Sequence, residues 1–168
     1  MEIWTIAARN RYINQRDGRI KTNVLSSDAD SLPERHRNIK SFKDSFGGVN
    51  HFEYDFKGFF IVIDVKYAFN HFKNNTYSDN REHLNATLLQ TLKEPLIVIR
   101  SFYEGENTLT FYKPFKSSNS IEHMVMFKLH KRENNKYYFK TIYRQESLLK
   151  IKEIVETSDG NTVYFKYD

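Results

Sequence analysis

The sequence predicts an α+β protein in which N-terminal helices pack on a curved, mainly antiparallel β-sheet. Three observations carry this. Phe59 to Val65 is an apolar run of strand length that passes directly into helical spacing. Between Leu96 and Arg144, four alternating segments are separated by hairpin punctuation: Gly105, Pro114 with Ser117-Ser118, and Asn134-Asn135. The 168 residues include 14 Phe and 11 Tyr but only 6 Gly and 3 Pro, a composition that builds a core without staples.

Taken in order, residues 1–57 read as an N-terminal extension of low regularity, partly helical, with polar stretches at 28–32 and 44–50. Trp4, Ile6, Tyr12 and Ile13 mark a short element near the start, and Pro33 to Arg37 opens a helix with Ser31 as its N-cap. Residues 58–168 form the main domain. Its strand from Phe59 feeds a short helix over 66–73, which Asn74-Asn75 interrupts. A second helix, capped by Asp79 or Asn80, carries Leu84, Leu88, Leu89 and Leu92 on one face and stops at Pro95. Strands follow over 96–102, 108–113, 122–130 and 136–144. A helix over 147–155 and an edge strand over 162–166 close the chain. Alternation puts Val125, Phe127 and Leu129 on one face, opposite Met124, Met126, Lys128 and His130. In the next strand Tyr137, Phe139, Thr141 and Tyr143 share a side, opposite Tyr138, Lys140, Ile142 and Arg144. One sheet face is therefore apolar, and the other carries Lys, His, Tyr and Thr.

Composition narrows the chemistry. There is no Cys, so disulfide frameworks, thiolate zinc sites and cysteine nucleophiles are excluded. His36, His51, His71, His83, His123 and His130 make no His-Glu-x-x-His pair, and no metal site is expected. Glycine-rich phosphate loops are missing as well, so no nucleotide cofactor is expected. Glu104-Gly105-Glu106 is similar to the acidic turn of ADP-ribosyltransferases, but the order of elements is wrong for that family. The longest apolar run is strand-sized, and Met1-Glu2-Ile3 does not open a secretory signal, so no membrane association is expected. A net charge of +5, from 26 Lys and Arg against 21 Asp and Glu, permits a nucleic-acid partner without requiring one.

What remains suits metal-free RNA cleavage. That reaction needs a base for the ribose 2′-hydroxyl, an acid for the leaving 5′-oxygen, and donors or cations on the phosphate. His71 is the candidate base, because an imidazole titrates near working pH. Lys113, Lys140 and Arg144 are candidate phosphate holders. Tyr112, Thr141 and Tyr143 are candidate donors, and Lys128 and His130 extend the RNA-facing set.

The segment from Phe59 to Glu156 resembles the phage-associated nuclease toxins of the barnase–EndoU–colicin–RelE superfamily. The likeness rests on a strand entering a His-bearing helix (Ile61-Val62-Ile63-Asp64 to Phe69-Asn70-His71-Phe72) and a helix ending Leu92-Lys93-Glu94-Pro95. It continues in a strand ending Phe111-Tyr112-Lys113 and a hairpin closing on Lys140-Thr141-Ile142-Tyr143. The resemblance implies His71, Lys113, Thr141 and Tyr143 as catalytic residues, with Tyr112 and Arg144 as neighbours; Lys128, His130 and Lys140 join those two as the RNA-binding candidates. It further implies a cytoplasmic toxin of the producing or target bacterial cell. Such a toxin cuts tRNA or mRNA without a cofactor and meets a cognate antitoxin or immunity protein. A second His close after the first, frequent in that superfamily, is missing; the next is His83. The alternative class is a non-catalytic RNA- or protein-binding module: an antitoxin, an immunity protein or a phage accessory protein. Incubation with tRNA in EDTA separates the two.

Overall fold

The computed structural model describes residues 29–73, 81–103, 106–116, 122–131, 136–145 and 162–166. Over these the chain is α+β, with three α-helices on a strongly curled mixed sheet that forms a half-barrel. The elements are β1 (Asp30–Ser31), α1 (Ile39–Ser45), β2 (His51–Phe56), β3 (Phe59–Asp64) and α2 (Val65–Lys73). A 3₁₀ helix (Arg81–Thr87) then leads into α3 (Leu88–Lys93). The remaining strands are β4 (Ile97–Tyr103), β5 (Glu106–Lys116), β6 (Glu122–Lys131), β7 (Lys136–Gln145) and β8 (Thr162–Phe165). Sheet order is β2-β3-β7-β6-β5-β4-β8. β3 and β7 run parallel, as do β1 and β5, and every other pairing is antiparallel.

The strand-to-helix passage expected at Phe59 is set by one side chain. Asp64 ends β3, and its Oδ1 accepts from Tyr67 N at 2.9 Å, which caps α2. Val65, Ala68, Phe69 and Phe72 then fall on the buried face, so Tyr67 and His71, four apart, share the more exposed one. Phe42 of α1 lies in the centre of the core, with its ring 5.4 Å from Phe69, 5.2 Å from Phe46 and 6.2 Å from Phe72.

Two expectations for the first 57 residues need correction. The helix starts at Ile39, not Pro33, and its N-cap is Asn38, whose Oδ1 accepts from Ser41 N at 2.9 Å. Ser31 instead pairs with Lys116 in β1, and Leu32 N donates to Lys116 O. His36 cannot join a helical ladder, because Asn85 occupies both its N–H and its carbonyl. The division expected at Gly58 falls inside the β2–β3 hairpin. Its two-residue turn, Lys57-Gly58, has positive φ at both positions and is held by Asp55 Oδ1 on Gly58 N. β2 thus belongs to the sheet. The expected elements near Trp4 and over 147–155, the Asn74-Asn75 break and the cap at Asp79 or Asn80 lie outside the described residues.

Alternation along β7 also departs from expectation. A register shift opposite Lys128 and Leu129 leaves Lys140 as an extra residue. Phe139 and Ile142 therefore both reach the core, and Thr141 pairs with Lys128. Among the described residues, no helix is long and apolar enough to cross a membrane.

Candidate functional site

The fold brings His71 to Thr141. His71 Nε2 lies 3.0 Å from Thr141 Oγ1, a contact made across 70 residues of sequence. The imidazole stands edge-on to Phe139, with centroids 5.5 Å apart, and lies nearly parallel to Tyr67 at 6.2 Å. Phe139 is buried, whereas Tyr67 is 52% exposed. One side of the ring is thus fixed against the core, and its stacked neighbour faces solvent. Lys140, beside Thr141, is exposed. This arrangement holds an imidazole and a hydroxyl at one accessible corner.

Lys113 is elsewhere. Its side chain is 1% exposed, and its Nζ donates to Glu94 O at 2.9 Å and pairs with Asp30 Oδ2 at 3.1 Å. Gln90 Nε2 donates to the same Asp30 oxygen at 2.7 Å. Burial pushes the Asp30 carboxyl up. The bond and charge of Lys113, the Gln90 bond and the charge of Lys166 outweigh it, leaving the group below the usual carboxylate value. Lys113 pairs across the sheet with Val125, which pairs with Arg144, three residues beyond Thr141. Two strand spacings and three residue rises put the Lys113 and Thr141 backbones roughly 14 Å apart. A buried ammonium committed to two oxygens at that separation cannot clamp a phosphate held by His71, so the expected role of Lys113 is corrected.

Tyr112 is fully buried on the opposite face of β5, with Thr108 and Thr110, and offers no face for a base to stack on. His130 is half-buried and pairs in register with Thr108 and Tyr138. Tyr143 stands opposite Met126, Arg144 opposite Val125, and Lys128 opposite Thr110 and Thr141. Their side chains lie outside what is described.

Sequence reasoning missed Asp30, Gln90 and the neighbouring cleft. That cleft, ≈ 420 Å³, is lined by His36, Phe46, Asn85, Leu89, Gln90 and Glu94, among others. Its lining comes from 36–46 and from 85–94, stretches too far apart in the chain for a local motif to mark them. The one available signal was parity. Lys113 falls in step with Leu109, Phe111 and Phe115, two residues apart along the strand, which assigns it to the apolar face. Among the described residues, no three His, Cys, Asp or Glu side chains gather in a way that could hold a metal ion. No protein-family model, curated protein or solved structure matches the chain.

Proposed function

We propose that this chain is a metal-independent endoribonuclease toxin acting in the cytoplasm, with His71 as its general base. The supporting observation is the 3.0 Å contact of His71 with Thr141 at an accessible corner beside Tyr67. In the tautomer that protonates Nε2, the ring donates to Thr141 Oγ1, and Nδ1 is the ring's acceptor nitrogen. As base, the neutral imidazole takes the 2′-hydroxyl proton, the 2′-oxygen attacks phosphorus and the bond to the 5′-oxygen breaks. The products are a 2′,3′-cyclic phosphate and a 5′-hydroxyl end. Lys140 stands in for Lys113 at the phosphate, since its exposed amine lies next to Thr141 in sequence. Tyr143, two residues along the strand from Thr141, is the proposed donor to the leaving oxygen. The exposed face of Tyr67 would stack a flanking base, and the RNA is tRNA or mRNA. A cognate antitoxin or immunity protein would cover this corner.

The experiment is incubation of total tRNA with the purified chain in EDTA. Fragments ending in 2′,3′-cyclic phosphate support the proposal, and RNA left intact at stoichiometric protein overturns it. One observation favours a second reading, a non-catalytic RNA- or protein-binding module. Lys113 is buried away from His71, while Phe60 (49% exposed) and Tyr67 present aromatic surface. RNA retained but uncut would select that reading.

A further inference from the structure

The cleft between α1 and α3 shares none of its lining with the His71–Thr141 pair. At ≈ 420 Å³ it falls in the range of small-molecule sites. Buried polar side chains hold both of its walls in place. On one wall Asn85, 1% exposed, accepts from His36 N at 2.7 Å and donates to His36 O at 2.8 Å. Ser41 Oγ bonds Nδ1 of the same imidazole at 2.7 Å and so sets the ring's orientation. On the other wall Asp30 holds the Gln90 amide nitrogen, and Lys113 holds the Glu94 carbonyl. A site whose lining groups are fixed by a supporting layer is preorganised for a ligand.

The lining chemistry narrows the ligand. Burial pushes the His36 imidazole pKa down, so the ring is neutral near pH 7. Among the described residues its Nε2 has no hydrogen-bond partner. The bond from Gln90 Nε2 to Asp30 leaves the carboxamide oxygen as an acceptor. Phe46 and Leu89 add apolar surface, and Lys93 and Glu94 place opposite charges together at the rim. Neutral hydrogen-bonding groups above apolar walls suit a flat polar ring and suit a bare anion poorly.

We propose that this cleft binds a nucleobase, either in a free nucleoside or as an unstacked base of single-stranded RNA. The ring lies against Phe46 and Leu89, and its edge meets His36 Nε2 and the Gln90 carboxamide oxygen. The proposal does not rest on catalysis at His71.

The test titrates the full chain by calorimetry with adenosine, guanosine, cytidine and uridine. A separate titration uses 2′-O-methyl hexanucleotides, which 2′-hydroxyl attack cannot cut. Saturable binding of at least one nucleoside is expected with a Kd tighter than about 1 mM. Leu89→Trp, which fills the cleft, and His36→Phe, which removes the ring nitrogens, should each weaken it by about tenfold. If only oligonucleotides bind, and both variants weaken that binding, the ligand is a base of RNA. Absence of saturation by any nucleoside or oligonucleotide overturns the proposal. So does binding that survives His36→Phe in a chain that melts normally.

Discussion

Two polar constellations sit under the same half-barrel, and they differ in what surrounds their charge. Around Lys113 an ammonium is almost wholly buried and spends its donors on Asp30 and Glu94. Around His71 a half-buried imidazole meets a neutral hydroxyl, that of Thr141, and has an exposed ring as a neighbour. A charge taken out of water must be paired to be tolerated, and a charge already paired inside the protein is poorly placed to serve a substrate. A half-buried polar group that meets a neutral hydroxyl beside an exposed ring is better placed to meet a ligand. The first constellation therefore reads as scaffold and the second as chemistry, although both were expected to form one site.

The largest effect expected from this contrast is on rate. His71→Ala removes the proposed base, and the proposed RNA cleavage should fall by roughly 10²–10⁴-fold. Melting temperature should fall by only a few degrees, because the loss includes about one neutral hydrogen bond and contacts with one buried and one exposed ring. Cleavage kinetics paired with a thermal melt check both halves.

The scaffold side should show the opposite profile. Asp30→Ala leaves a buried ammonium without its counter-charge and should cost about 3 kcal/mol, the low end for breaking a buried pair. The low end applies because the Asp30 side chain is 43% exposed, so water can reach part of the site. Denaturant unfolding measures this directly. Destabilisation well below 1 kcal/mol would mean that the pair does not anchor β1 to β5.

Thr141→Val should have a smaller effect. It keeps the shape and removes the hydrogen bond to His71, worth about 1 kcal/mol, so cleavage should drop about five- to tenfold with the fold intact. A loss as large as that of His71→Ala would make Thr141 a direct participant, not a residue that orients the ring.

The smallest effect is on the pH dependence of stability. His36 has its folded pKa lowered by burial, so the unfolded chain takes up the proton first as pH falls. Stability is therefore fully present above the ordinary histidine value of about 6.5 and declines below it, until the folded pKa is passed. Asp30, also lowered, adds a separate loss at more acid pH, as the carboxylate protonates through its folded pKa. Melts of the chain and of His36→Gln between pH 7.5 and 5 should differ in slope, with the variant flatter.

How much of this was legible depended on how local the signal was. The passage from Phe59 to Lys73 could be read because the apolar period switches from strand to helix at Asp64, a residue that itself caps the helix. The β4–β7 meander was marked by its turns. β2 was overlooked, although Phe52, Tyr54 and Phe56 alternate with His51, Glu53 and Asp55, because the polar stretch before it made the whole region read as an extension. The Lys140 bulge could not be read, since a register shift depends on the partner strand. His71 and Thr141 could be named singly from their chemistry, but only the fold joins them. Asp30 and Asn85 offered no pattern at all, because what matters about each is a partner 83 or 49 residues away.

The most direct test of the division between scaffold and chemistry compares His71→Ala with Lys113→Met in one tRNA cleavage assay in EDTA, each with its melting temperature. His71→Ala should melt within a few degrees of the parent chain and cut roughly 10²–10⁴-fold more slowly. Lys113→Met, which replaces the buried amine with an apolar chain of similar length, should melt differently from the parent and still cut. Abolished cleavage in Lys113→Met at unchanged stability, with His71→Ala still active, would contradict that division.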